Sequence, residues 1–561
     1  MTDIKIAASD IESNNWIDFL MIGLYDERGY KLFADLNQYL DYVLTEKFNG
    51  YKIFFHNGGK FDFLFIFEKL LERGEVQIIS KSSGLLALIY KFKKIKIEFR
   101  DSYALLPASL DKLIKTYNIP EIKIKIDFTK KHKFSDKNLQ LHLKHDCISL
   151  YKILNKFLEH EGFLSMTVAS HALKVFEKKF FHGDFWNVND NFDNYFRFNY
   201  YKGGRVEVYK GYGKNLYYYD INSLYPLVML EKMPAGFPLR TKKYMLNKIG
   251  FYKIELLQKY ESHISILVKK TKKGNYYVNG KKGDIFYLIS CEIEELKNLK
   301  IKFKVLDGYY FTDKEYLFND YVNHYYKIKQ ETKDEVERYI SKLMLNSLYG
   351  KMGQKLYGQS IEVDKGQGDF PVYDEVNGLL LVDKKRHIKF KGVYIASYIT
   401  ALARMKHYNL MKSIGFEHIY YCDTDSIITD KQIKIGTKIG DVKLVDKIKE
   451  GIFLLPKTYG YKTFDSKEYI HFKGFKNEYF SYNDLKDLLI NKKDKLEQTM
   501  IRVLGFKESI KRKNDIYRDK GTYLKTAQQT KVLTFNYTRR KVIADKKHHF
   551  ITECFDVKEI T

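Results

Sequence analysis

Apolar and polar positions alternate in short runs along much of the chain, and a few longer stretches carry a helical period. Ile4, Ile6, Ala7 and Ala8 lead into Asp10-Ile11-Glu12, a predicted strand in which Asp10 and Glu12 share one face. Phe54 and Phe55 predict a buried strand, Gly58-Gly59 a turn, and Phe63 to Leu71 a helix with Asp62 at its start. An amphipathic helix is expected from about Lys137 to Phe157, with Asp146 on it. The run Tyr201-Lys202-Gly203-Gly204-Arg205 then breaks the helical pattern. Leu216 to Asp220 reads as a strand that turns into a helix near Pro226. Tyr325 to Gly350 reads as one long helix closed by Gly350, with Arg338, Lys342, Asn346 and Tyr349 on one face. Finally, Tyr420-Tyr421-Cys422-Asp423-Thr424-Asp425-Ser426 predicts two short strands joined by a tight acidic turn.

Composition adds a partner class. At 561 residues the chain is too long for one core and divides into roughly three to five domains or subdomains. Lys and Arg outnumber Asp and Glu by 97 to 70, an excess of +27 spread along the chain rather than packed in a tail. That spread suits a long polyanion, and an aromatic fraction of 16% adds surfaces for base stacking. A basic protein with many core Tyr and Phe would share this composition. The four cysteines, Cys147, Cys291, Cys422 and Cys554, form no C-x-x-C pair, which argues against a disulfide framework or a zinc site. No apolar run approaches a membrane span, and the amino terminus has neither a secretory nor a transit pattern. That lack fits synthesis and use in one compartment, either bacterial cytoplasm or mitochondrial matrix.

Asp423 and Asp425 sit two residues apart, and two carboxylates so placed repel until a divalent cation relieves them. Taken alone the pair is an ordinary solvated turn; the rest of the chain changes that. Asp10, Glu12, Asp62 and Asp146, from three separated segments, could converge on two metal ions and activate a water against a phosphodiester. This ordered set, D-x-E, then N-x-x-x-F-D, then a helical Asp, resembles the 3′→5′ proofreading exonuclease domain of family B DNA polymerases, whose fold is RNase H-like. On that resemblance these four residues are its metal carboxylates. Asn57, Phe61 and Ser102 match its single-strand contacts, and Lys123 matches a lysine that assists phosphate hydrolysis. The family has a tyrosine four residues before the last Asp, and this chain has His142. Either His142 orients the attacking water in its place or proofreading is weak.

Three further strings, D-I-N-S-L-Y-P, K-L-M-L-N-S-L-Y-G and Y-C-D-T-D-S, resemble the same family's polymerase motifs in sequence, order and spacing. The resemblance implies a DNA-directed DNA polymerase. Asp220 and Asp425, with Asp423 beside them, would carry two Mg2+ or Mn2+, and the exonuclease site would carry two more. Lys342 would bind the nucleotide's phosphates with Arg338 assisting, Asn346 and Tyr349 would lie near base and sugar, and Tyr225 would screen against a 2′-OH. Tyr201, Gly203 and Gly204 match a template-touching Y-x-G-G linker, and Lys457 and Tyr459 match a K-x-Y primer motif.

The implied fold is α+β: an exonuclease domain (1–185) followed by a right-hand polymerase domain with two insertions. The expected divisions are linker and first palm part (186–260), first insertion (261–318), fingers (319–352), second insertion (353–390), second palm part (391–484) and thumb (485–561). The insertions hold a basic hairpin at Lys269–Gly274 and a turn signal at Asn377-Gly378. They resemble the terminal-protein regions of the protein-primed group found in phages, viruses and linear plasmids. The implied activity is replication of a linear DNA element from a terminal-protein primer, with strand displacement. The implied partners are primer-template and single-stranded DNA, dNTPs and a terminal protein, with the polymerase itself a monomer and no membrane involved. Two rivals stand beside this reading: a small nucleic-acid-primed family B polymerase, and a DNA-binding nuclease whose synthesis site has decayed.

Overall fold

The computed structural model describes residues 4–16, 18–81, 84–120, 124–183, 186–364, 372–376, 379–475, 479–511 and 526–560. Two predicted features, Lys123 and the Asn377-Gly378 turn, lie outside them.

Residues 6–101 build a seven-stranded mixed sheet. β1 (Ile6–Asn14), β2 (Asp18–Asp26) and β3 (Gly29–Phe33) form a meander, after which α1 (Leu36–Val43) crosses to β4 (Lys52–Phe55). α2 (Asp62–Leu71) leads on to β5 (Glu75–Lys81), β6 (Gly84–Phe92) and β7 (Ile95–Asp101). The order is β3-β2-β1-β4-β7-β6-β5, with β4 parallel to β1 and β7. α3 (Leu110–Thr116) precedes α4 (Lys137–Glu161), which packs on β1 and β2. Asp136 caps the start of α4 by accepting from the N–H groups of Asn138 and Leu139, and Gly162 closes its end at φ +77°. The helix therefore runs one turn beyond the predicted Phe157.

After α5 (Val168–Lys179) and α6 (Asp190–Asn199) the chain enters a second seven-stranded sheet, antiparallel throughout. Its first strands are β8 (Val206–Val208) and β9 (Tyr212–Ile221), and α7 (Leu224–Met229) follows. An excursion holds β10 (Met233–Arg240), β11 (Gly250–Leu256), β12 (Val268–Thr271), β13 (Gly274–Asn279), β14 (Ile285–Ile289), α8 (Ser290–Asn298) and β15 (Phe303–Glu315). The sheet β10-β15-β11-β14 draws two strands from before residue 261, so the first insertion shares its sheet with the preceding segment.

The single long helix expected from Tyr325 to Gly350 is three pieces: α9 (Asn319–Glu331), α10 (Glu335–Ser347) and α11 (Tyr349–Met352). Asp334 causes the first break, since its carboxylate caps the Val336 N–H and Thr332 has already left helical geometry. Gly350 lies inside α11 and is not a terminator. α9 and α10 pack side by side, joined by the Tyr321 hydroxyl donating to the Met344 carbonyl at 2.9 Å.

β16 (Tyr357–Val363), β17 (Val372–Val376) and β18 (Leu379–Lys385) form a small sheet on the amino-terminal body. Ile361, Leu379 and Leu381 are buried in the same apolar cluster as Phe63 to Phe67. α12 (Val393–Ile414) then backs the second sheet. β19 (Ile419–Asp423), β20 (Ser426–Thr429), β21 (Val442–Leu455), β22 (Thr458–Thr463) and β23 (Glu468–Phe472) complete it in the order β23-β22-β21-β9-β20-β19-β8. The carboxy-terminal residues return to this sheet, where the Gly211 N–H donates to the Phe550 carbonyl, and then to the excursion, where Phe555 pairs with Val278 of β13. Among the described residues no helix is long and apolar enough to cross a membrane.

Candidate functional sites: two acidic clusters

The amino-terminal cluster is set by sheet and helix together. β1 presents Asp10 and Glu12, α2 begins at Asp62, and α4 brings Asp146 across. The Ile11 N–H donates to Asp62 Oδ1 at 3.1 Å, which fixes α2 against β1. Burial, with repulsion from Asp62, Glu12 and Asp146 added, holds the Asp10 carboxyl well above the usual aspartate range. Burial likewise pushes Asp62 to about 7, partly offset by hydrogen bonds from backbone N–H groups.

His142, one helical turn before Asp146, faces this cluster. Its Nε2 lies 3.7 Å from Glu12 and 3.6 Å from Asp146, and its Nδ1 is 2.8 Å from the Ile124 carbonyl. If Nδ1 donates to that carbonyl, Nε2 is left to face the two carboxylates. A cleft of about 720 Å³ opens beside these groups, lined by Asp10, Glu12, Asp62, Asn57, Phe61 and Trp16 among others. Asn57 sits at φ +65°, and among the described residues its buried side-chain oxygen has no hydrogen-bond partner. Trp16, 63% exposed, packs edge-on to Phe61. Sequence reasoning missed Trp16, although an indole four residues after Glu12 was a readable signal. Ser102 is not brought to the cleft surface: it is fully buried, and its hydroxyl donates to the Phe55 carbonyl and contacts His56.

The second cluster lies at the ends of β9 and the β19–β20 hairpin. Ser426 of β20 pairs with Asp220 of β9, and the Ile221 N–H donates to the Asp425 carbonyl at 2.8 Å. The backbone alone therefore holds Asp220 beside Asp425. Thr424 turns the hairpin at φ +60° and donates its N–H to the Arg205 carbonyl at 2.7 Å. Gly204 is required there, because a Cβ at that position would stand 2.9 Å from the Thr424 methyl carbon. Gly203 has open space instead. Arg404 of α12 supports this loop, donating to the carbonyls of Lys202 and Gly203 and to buried Glu292. Tyr201 packs against Gly353 and takes the Lys270 ammonium on its carbonyl.

Lysines accompany the acids of this cluster. Lys443 lies 2.9 Å from Asp220, and Lys457, at φ +62°, lies 2.8 Å from Asp423. Burial first, then repulsion from Asp220 and Asp423, pushes Asp425 to about 6, with Lys443 opposing. Tyr225 stacks on Tyr349 with centroids 4.4 Å apart, and Tyr459 packs on Tyr421. Lys342 and Asn346 are exposed on α10. Arg338 is turned back on its own helix start, bonded to Glu335 and the Thr332 carbonyl. Lys329 of α9 donates to the Ser223 hydroxyl at 3.1 Å, and its ammonium is depressed by burial and by Lys342 and Lys443. The sequence reading missed Lys329 and Lys443. A lysine one turn before the helix break hinted at the first, and only strand register reveals the second.

Among the described residues no three His, Cys, Asp or Glu side chains already stand as a closed metal-ligand group. Asp220 and Asp423 each hold a lysine, and Glu12 and Asp146 face His142 instead. The residues nevertheless suit Mg2+ or Mn2+. The donors are carboxylate oxygens, the hard ligands such ions take; burial chiefly raises Asp10, Asp62 and Asp425, neighbouring carboxylates add to it at Asp10 and Asp425, and a divalent cation would favour the charged forms.

The sequence model of the family described as "DNA polymerase type B, organellar and viral" matches residues 46–142 and 125–369, more than half of the chain. A probable DNA polymerase of Agaricus bitorquis is 28% identical over 83% of this chain and 71% of its own length. One of Neurospora intermedia is 28% identical over 80% of this chain, which spans only 55% of that protein. A DNA-directed DNA polymerase of Enterobacteria phage PRD1 is 27% identical over 76% of this chain and 77% of its own. The fold matches phi29 DNA polymerase complexed with primer-template DNA, at a TM-score of 0.77 and 20% identity over 95% of this chain and 100% of that one. The mixed architecture that the family resemblance implied is therefore the fold of that enzyme.

Proposed function

The chain belongs to the organellar and viral type B DNA polymerases, and on that premise we propose that it is a DNA-directed DNA polymerase with an associated 3′→5′ exonuclease. It replicates a linear DNA element, displacing the strand ahead and starting from the hydroxyl of a separate terminal protein. The observation that carries the polymerase reading is the backbone junction of Ile221 with Asp425, which sets Asp220 and the hairpin carboxylates side by side.

Asp220 and Asp425 would hold the divalent cations, with Asp423 beside them. When bound, such ions lower the pKa of the attacking hydroxyl and neutralise the triphosphate and leaving pyrophosphate. The chain's own residues do the rest. Lys342 and Lys329 converge on the turn after β9 and bind phosphate oxygens. The Tyr225–Tyr349 stack forms a floor under the sugar and leaves no room for a 2′-OH. Lys457 and Tyr459, at the start of β22, steady the primer end. In the amino-terminal cleft, Phe61 and Asn57 hold the frayed single strand, and His142 orients the water between Glu12 and Asp146.

Primer extension on a primed template with Mg2+ or Mn2+ tests this. Wild type adds nucleotides and Asp425→Ala does not; extension by Asp425→Ala at the wild-type rate overturns the assignment. Protein priming is tested separately at the ends of the replicated element: a 5′ end covalently blocked by protein supports it, and free 5′ ends favour a nucleic-acid primer.

A further inference from the structure

Lys443 stands where the proposed chemistry gives it no assigned task. It is the β21 partner of Asp220 in the sheet, directly across from it, and its ammonium meets Asp220 Oδ1 at 2.9 Å. Half of its side chain is exposed, against a quarter of the Asp220 side chain. An ion pair this open to water adds little to stability, so fold maintenance does not account for it. Two other ammoniums approach the same place from different elements, Lys329 on α9 and Lys342 on α10. Lys443 and Lys329 near Asp220, with Lys342 beside Lys329, set ammonium groups against the carboxylates at the end of β9, so that a polyphosphate arriving with divalent cations meets positive charge there.

The backbone ties Lys443 to the same turn that Lys329 touches. Gly440 N–H donates to the Asn222 carbonyl, and Asn222 N–H donates to the Asp441 carbonyl, each at 2.8 Å. Asn222 Nδ2 also donates to the Gly436 carbonyl at 3.2 Å. Ser223, which accepts from Lys329, follows at φ +54°. The strand start that carries Lys443 and the turn after Asp220 are thus one rigid unit, from which the half-exposed Lys443 side chain reaches Asp220.

We propose that Lys443 is an exchangeable counter-ion of the synthesis site: it neutralises Asp220 before substrate arrives, then moves to the triphosphate of the incoming nucleotide. This rests on the polymerase reading above and adds to it a substrate-binding residue supplied by the palm sheet rather than by the helices. The exchange makes no bond and moves no proton. One ammonium leaves a carboxylate, whose charge a divalent cation then takes up, and pairs instead with a negative phosphate oxygen.

The test uses the full chain on primer-template DNA with a dideoxy-terminated primer and Ca2+, so that nucleotide binds without reaction. Lys443→Ala is expected to weaken binding of the matching dNTP about 10-fold, as loss of one charge-assisted phosphate contact does. Lys443→Arg should bind within about 2-fold of wild type, and primer-template affinity should be unchanged in both. In the absence of nucleotide, Mn2+ binding followed by its paramagnetic signal should tighten in Lys443→Ala, because the metal no longer displaces an ammonium from Asp220. Equal dNTP affinity in wild type and Lys443→Ala overturns the inference and leaves the polymerase reading intact. Equal weakening of dNTP and primer-template also overturns it, since that marks a damaged sheet. Failure of wild type to select a dNTP against the template base instead overturns the polymerase reading itself.

Discussion

In the amino-terminal cluster Glu12, Asp62 and Asp146 are 3–8% exposed, and the basic group that meets Glu12 and Asp146 is an imidazole at 3.6–3.7 Å. In the palm cluster the Asp220 and Asp423 side chains are 20–25% exposed, and each meets a lysine ammonium within 3 Å. Both are acidic clusters, one built from the middle of β1 with helices α2 and α4 and the other from strand ends of the second sheet, yet one keeps its repulsion and the other offsets part of it with lysines. A buried, self-repelling cluster has a fixed shape that is completed only by cations, which suits cutting one kind of bond at a fixed place. An exposed, lysine-paired cluster has counter-ions it can release, which suits a site that admits a charged substrate at every cycle and expels a charged product.

The sharpest break in that comparison is functional independence. Asp425→Ala should lower primer extension by about 1,000-fold or more and leave 3′ trimming near wild type, while Asp10→Ala should do the reverse. Parallel extension and single-strand degradation assays on the same preparations check it. Loss of both activities in either variant would mean that the clusters are not separate sites.

Next in size is the support of the palm hairpin. Gly204→Ala places a methyl 2.9 Å from the Thr424 methyl carbon and must displace a turn whose N–H is held by the Arg205 carbonyl. A shift of a few tenths of an ångström at Asp423 and Asp425 should cost extension about 10-fold to 100-fold with trimming retained. Gly203→Ala, which meets open space, is the matched control and should stay within about 3-fold. A third, smaller effect belongs to the cleft: Trp16→Ala or Phe61→Ala should weaken single-strand affinity by about 1–3 kcal/mol. Fluorescence titration with an oligonucleotide measures it, and unchanged affinity in both would remove the cleft from the strand's path.

What could be read in advance follows the range of the forces involved. The acidic hairpin was legible because apolar and aromatic runs lead into it and out of it and the turn residues are local. The D-x-E strand and the Asp62 helix start were legible for the same reason. The break between α9 and α10 was written in Thr332 and Asp334, yet the strong helical period on both sides hid a capping aspartate. Lys443 was not legible at all: its place opposite Asp220 is set by the register of β21 on β9, a pairing of segments more than two hundred residues apart. Ser102 shows the converse limit. A local match placed it against DNA, while its burial and its bond to the Phe55 carbonyl place it beneath the cleft.

The smallest expected effect sharpens the comparison most directly, through stability without divalent cations. Asp62 has a folded-state value of about 7 against 3.8 for a free aspartate, so between those pH values the folded protein binds a proton that the unfolded chain has released. Its contribution is therefore most favourable below about 4 and is lost as pH rises through about 7. Asp425 follows the same sign over a shorter window, ending near 6. Amide exchange, corrected for the intrinsic pH dependence, should show β1 and the start of α2 opening more readily from pH 5 to 7.5 in chelator, while β19 and β20 change less. Millimolar Mg2+ at pH 7.5 should restore protection in both places and by the larger factor at β1, since the charge left there is the more buried. Equal sensitivity of the two regions would show that the lysines of the palm do not relieve its carboxylates, and the contrast between a site that stores repulsion and one that exchanges counter-ions would be lost.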